Sequence, residues 1–279
     1  MSEFEKFEKF NEHKSNATQL NYSRQYNKLH KLAGGDIADV SQKKILEIIY
    51  SNTTNPNQIS SLTNIAFLVR KMNKMPVEEL ILDRERNKTA IEERVKKINM
   101  ETKLPSLEEL QEYTQYLYDQ GKWSKFVLNY LMLNLQVRNK DLNFKIVTRK
   151  KDMVDNKSNY IWLNYRHKKA VYVRNDYKTN NTYGKKTHTL TDKKLLNALY
   201  KILACQKHDE DCGVIIKNPE QLGYHVQQAT FNKIGEGAYL KVIINDAREN
   251  GNIQMLAEIS ENRGTSVNEL LKSYDSSKI

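Results

Sequence analysis

Cysteine is nearly absent, with two in 279 residues. A chain of this length can bury cores that need no covalent staples, so two ordinary thiols in a reducing compartment are expected. Cys205 and Cys212 flank His208, but a structural zinc needs four ligands and no second Cys/His pair lies nearby. Neither a metal nor a cofactor is called for. Also lacking is any run of about 18 or more apolar residues, which argues against a membrane-spanning helix. The N-terminus, where Glu3, Glu5 and Glu8 stand among Phe and Lys, has no apolar signal core. These absences predict an intracellular protein, or one packaged in a particle, and not a secreted one.

What is present divides in two. Over the first hundred or so residues, apolar side chains return at three- and four-residue spacings, as helices require. Leu20, Tyr26 and Leu29 fit one helix, and Ile45, Leu46, Ile48 and Ile49 another. A third buries Ile59, Leu62, Ile65, Ala66, Leu68 and Val69. Pro76 opens a long charged helix, since a proline in the first turn loses no hydrogen bond. The stretch Thr102-Lys103-Leu104-Pro105 reads as a linker, and Ser106 with Glu109 as the capping box of the next helix. An apolar helix from Ser124 to about Val137 is expected in a core.

After Arg138 the period becomes two: Phe144, Ile146 and Thr148 alternate, as do Tyr160, Trp162 and Asn164, then Ala170, Tyr172 and Arg174. Helices resume at Thr191. The fold class is therefore mainly α (α+β), with a helical N-terminal domain (1–103) and a mixed domain (104–279) carrying a small antiparallel sheet.

Charge is concentrated where the strands lie. Residues 138–190 hold fourteen Lys/Arg against four Asp, so nearly all of the chain's +11 sits there. A localised basic face beside strands predicts a polyanion partner, because neutralising phosphates releases condensed counterions. Lys140, Lys150, Lys151, Lys168, Lys169, Lys185 and Lys186 are the candidate contacts to that polyanion. The competing reading is a solvated lysine-rich surface.

Three short motifs, in this order, resemble the tyrosine recombinase (phage-type integrase) family. Gln136-Val137-Arg138-Asn139-Lys140-Asp141-Leu142 is similar to the segment of its first catalytic arginine. Arg138 would present a planar fork to two phosphate oxygens, or else complement a helix dipole. Tyr177-Lys178-Thr179 to Tyr183-Gly184 resembles its β-hairpin, whose lysine protonates the leaving 5′ oxygen. Lys178 is the candidate acid, an exposed hairpin lysine the alternative. Arg263-Gly264-Thr265-Ser266 through Tyr274 resembles the approach to its nucleophilic tyrosine, with a plain surface tyrosine as the alternative.

The chain departs from the pattern as well. The family's His-x-x-Arg falls on Ala238-Tyr239-Leu240-Lys241, so Lys241 keeps the charge without the bidentate fork. Thr265 takes the slot of the last histidine, Arg263 is a candidate substitute phosphate ligand, and His225 lies upstream. The resemblance implies a core-binding clamp over 1–103 and a catalytic-type domain over 104–279. It implies double-stranded DNA as partner, a homo-oligomer on DNA, strand breakage and rejoining in recombination or integration, and a viral or mobile element in host cytoplasm, nucleus or virion. The alternatives are a catalytically inactive DNA-binding or structural descendant and an unrelated basic α+β scaffold.

Overall fold

The computed structural model describes residues 1–101, 103–205 and 221–274. His208 and Cys212 lie outside them, as does the side chain of Cys205. The chain divides into two compact units, Met1–Glu101 and Thr102–Ile279.

The N-terminal unit is helical: α1 (Glu3–Phe10), α2 (Asn16–Ala33), α3 (Gln42–Asn52), α4 (Pro56–Met72) and α5 (Glu78–Glu101). Ser2, Ser15, Ser41 and Asn55 each cap a helix by accepting a backbone N–H, and Pro56 follows Asn55 where its missing donor costs nothing. Ile45, Ile49, Leu62, Ile65 and Val69 join Phe7, Tyr26 and Leu29 in one core. Leu20, expected on the buried face, is exposed, as are Ile81 and Leu82 of α5. That helix is held in part by polar contacts. The buried Asp83 carboxylate accepts from the Tyr50 hydroxyl at 2.6 Å, the Thr63 hydroxyl at 3.1 Å and the Asn87 amide at 2.8 Å.

In the C-terminal unit, α6 (Leu107–Asp119) opens on the expected Ser106/Glu109 capping box. α7 (Trp123–Leu135) is buried on most sides and lies in the core with later helices. Four strands follow: β1 (Phe144–Val147), β2 (Asn159–Asn164), β3 (Lys169–Arg174) and β4 (Lys186–Leu190). A short α8 (Asn180–Tyr183) lies between the last two. Then come α9 (Lys193–Cys205), α10 (Leu222–Ala229), α11 (Gly235–Glu249), α12 (Ile253–Arg263) and α13 (Val267–Tyr274). The architecture is the expected α+β, a helical N-terminal part and a sheet-containing C-terminal part.

One pairing differs from expectation. β2, β3 and β4 are antiparallel neighbours, but β1 pairs with β2 in parallel, so the sheet is mixed. Residues 148–158, which include a 3₁₀ turn at Lys150–Asp152, are long enough to carry the chain back for a parallel partner, whereas a tight turn would force a hairpin. This pairing divides the basic segment between the two ends of the sheet. Lys150 and Lys151 follow β1 at the end where Lys168 and Lys169 turn β2 into β3. Arg138 and Lys140 precede β1 at the opposite end, where Arg174, Lys178, Lys185 and Lys186 also lie.

Candidate active site

The site is built at that second end, around the last turn of α12. A helix leaves its final carbonyls without intrahelical partners, and here three cationic side chains supply them. Lys186 Nζ donates to the carbonyl of Glu261. Arg174 Nη1 donates to that of Asn262 at 2.8 Å, and Arg138 Nη1 to that of Arg263 at 2.6 Å. The side chains come from β4, β3 and the turn before β1, so the sheet end and the helix end are fastened carbonyl by carbonyl. The dipole expected to attract Arg138 is thus that of α12, not of the helix preceding it in sequence.

Arg174 is completely buried, which removes it from the surface charge. On β3 it shares the inward face with Ala170 and Tyr172. Its Nη2 meets Asp141 Oδ2 at 2.6 Å, both side chains being inaccessible, and its guanidinium lies 4.9 Å from the centre of the Tyr177 ring. Burial pushes the Asp141 carboxyl up in pKa, against the pull of Arg174 and of the Arg138 backbone N–H, which donates to it at 2.8 Å. Asp141 therefore fixes both arginines at once.

Arg263 lies at the centre. It is 2% exposed, and its Nη1 is 3.0 Å from the Gln136 carbonyl. Gln136 is aimed there by its left-handed backbone (φ 46°), which ends α7. Arg263 Nη1 also lies 2.6 Å from Glu236 Oε1, in the first turn of α11. Its Nη2 donates to the Tyr274 hydroxyl at 3.4 Å, and its guanidinium carbon is 5.5 Å from the Tyr274 ring centre. Burial, and then the nearness of Arg263, lower the pKa of Arg138. Two arginines and the half-buried Tyr274, far apart in the chain, therefore share one locus.

The remaining candidates are placed as follows. Lys178 is exposed, in the β3–α8 loop, and makes no hydrogen bond among the described residues. Its neighbours point inward: Tyr177 is buried and donates to the Gly184 carbonyl at 2.6 Å, while the Thr179 hydroxyl reaches the Arg263 carbonyl at 3.4 Å. Lys241 is half-buried on α11, and burial lowers its pKa. Lys186 is half-buried between the Tyr177 and Tyr183 rings, and burial, then Arg174, lower its pKa. Lys140 is exposed and pairs with Asp176 at 2.5 Å. Lys150, Lys151, Lys168 and Lys185 are exposed and Lys169 half-buried. His225 is half-buried on α10, stacked edge-on with Tyr224.

A cleft of about 560 Å³ adjoins the cluster, lined by Tyr183, Lys186, His188, Glu261, Asn262 and Thr265 among others. Thr265 thus faces open space. The sequence motifs included Asp141 without giving it a role, and passed over Arg174 and Glu236. For Arg174 the available signal was the period of β3, which puts it on the same face as two core residues.

Among solved structures the chain is similar to the crystal structure of XerA recombinase, at a TM-score of 0.38 and 10% identity over 99% of this chain and 93% of that one. No family model and no curated protein matches it. The functional reading therefore rests on the side chains just described.

Proposed function

We propose that this protein binds duplex DNA and that its C-terminal unit breaks and rejoins a strand through Tyr274. The observation that carries this is the contact of Arg263 with the Tyr274 hydroxyl beside Arg138: a nucleophile and two anion-binding forks at one point. In the proposed step the Tyr274 hydroxyl gives up its proton to solvent as its oxygen attacks phosphorus, while both guanidinium groups stabilise the non-bridging oxygens. The bond to the 5′ oxygen breaks, and that oxygen takes a proton from a lysine. The bond energy is kept in a phosphotyrosyl ester, so rejoining needs no other energy source. Lys178 is the donor by motif position, with Lys186 nearer the cluster through the Glu261 carbonyl. Lys241 supplies further positive charge from α11. The exposed lysines at both ends of the sheet would track the DNA backbone, the N-terminal unit would add DNA contacts of its own, and copies of the chain would act together on paired sites of a viral or mobile element.

A second reading, DNA binding without cleavage, is favoured by a different observation. Arg138, Arg174 and Lys186 each already hold a carbonyl of α12, Arg263 holds that of Gln136, and Ala238 and Thr265 replace the two histidines. A nicked suicide duplex separates the two. Cleavage predicts a covalent adduct resistant to denaturation that disappears in Tyr274→Phe. Salt-sensitive binding without an adduct supports the second reading. DNA affinity unchanged in both Arg138→Ala and Lys178→Ala would point to an unrelated scaffold.

A further inference from the structure

We infer that the Arg138–Arg263 locus is a phosphate seat occupied at rest by the protein's own carboxylate, Glu236, which must leave before an external phosphate can enter. The inference rests on the proposed phosphate chemistry of this site and adds its regulation. Glu236 Oε1 is 2.6 Å from Arg263 Nη1, at the distance a phosphate oxygen would take, and the Glu236 side chain keeps 14% of its surface exposed while Arg263 keeps 2%. The carboxylate can therefore withdraw toward solvent, whereas the guanidinium stays.

The fit between the two is incomplete. Glu236 Oε1 lies within ion-pair distance but outside hydrogen-bonding geometry, and Arg263 Nε is buried with no hydrogen-bond partner among the described residues. A buried guanidinium with an unused N–H is under-satisfied. A tetrahedral phosphate offers more acceptor directions than one carboxylate oxygen, and Arg138 beside it supplies a second positive charge.

Glu236 also follows a strained stretch of backbone. The residues entering α11 include Asn232 (φ 46°), Lys233 (φ 56°) and Gly235 (φ 72°), all left-handed. Non-glycine residues hold that conformation only when their surroundings impose it. The contacts that impose it include the Gly235 N–H to the Thr230 hydroxyl at 3.2 Å, the Lys233 N–H to the Thr230 carbonyl at 3.1 Å and the Ile234 N–H to the Phe231 carbonyl at 3.1 Å. A change at this entry would carry Glu236 away from Arg263 without moving the arginine.

The test uses the full chain with inorganic phosphate, and with potassium chloride at matched ionic strength. In Glu236→Gln the seat has lost its internal anion, so phosphate should bind about tenfold more tightly than to the wild type. It should also raise the melting midpoint of this variant by several degrees more, while chloride does not. Equal phosphate response in variant and wild type overturns the proposal. Should Glu236→Gln fold only when phosphate is present, that rescue is itself the expected behaviour. If it folds in neither salt, Glu236→Asp decides: the shortened carboxylate should give a phosphate affinity above that of the wild type, and no gain overturns the proposal. Phosphate binding and the Tyr274 adduct separate the two ideas. A tightened seat without any adduct keeps this proposal and removes cleavage, whereas an adduct with an unchanged seat does the reverse.

Discussion

Arg174 shows how far one side chain's meaning depends on its surroundings. In sequence it is one of fourteen basic residues in a short segment; in the fold it is an internal strut with no accessible surface. A buried charge is tolerated only when paired, and Asp141 Oδ2 at 2.6 Å provides the pair. Removing one partner leaves the other uncompensated in a dry interior. Arg174→Met should therefore cost about 3–5 kcal/mol of stability in denaturant titrations. Exchanging an exposed lysine such as Lys150 should change stability by less than about 0.5 kcal/mol. Equal costs for the two would place Arg174 at the surface.

Among the elements, α12 and its exit matter most to the site, because three cations from the sheet end fasten its last turn and α13 then carries Tyr274 back toward Arg263. The turn between the two helices is Gly264, left-handed at φ 59°. A Cβ there would lie 2.6 Å from the Thr179 hydroxyl and 2.8 Å from Cδ2 of Tyr183, closer than real atoms approach. Gly264→Ala therefore adds a clash to the conformational penalty. It should destabilise the protein by at least about 2 kcal/mol in urea melts and, by displacing α8 or α13, abolish any Tyr274 adduct. An alanine variant as stable as the parent would contradict this packing. The elements themselves were largely legible. Ser106 with Glu109, and Asn55 with Pro56, mark helix starts by local chemistry, and the two-residue period after Arg138 marks the strands. The parallel partner of β1 was not legible, since the alternation of Phe144 and Ile146 is the same whichever direction a neighbour runs.

At the scale of the whole molecule, the described residues form two cores, one in each unit, and the acid response should fall on one of them. Burial, then Arg174 and Lys186, push the pKa of His188 down to about 4, and its Nε2 is buried without a hydrogen-bond partner among the described residues. The folded chain thus keeps His188 neutral at pH values where the unfolded chain, with a pKa near 6.5, takes up a proton. This contribution to stability is complete above about pH 6.5 and is lost as pH falls toward about 4. Both tryptophans, Trp123 and Trp162, belong to the C-terminal unit. Tryptophan-detected denaturation midpoints should therefore fall over that window, and His188→Gln should flatten the fall. A variant with the parent's slope would assign the acid response to other groups.

By itself the amino-acid sequence determined most of the longer helices, the first three strands, and that excess positive charge gathers between Arg138 and Leu190. Those properties follow from local periodicity, capping and composition, and each is complete within a few turns of chain. Only the tertiary structure decided which cations face solvent and which are struts, that the basic segment divides between two sheet ends, and that Glu236 rests against Arg263. Such facts depend on residues a hundred positions apart meeting in a low-dielectric interior, where pairing and burial are settled together.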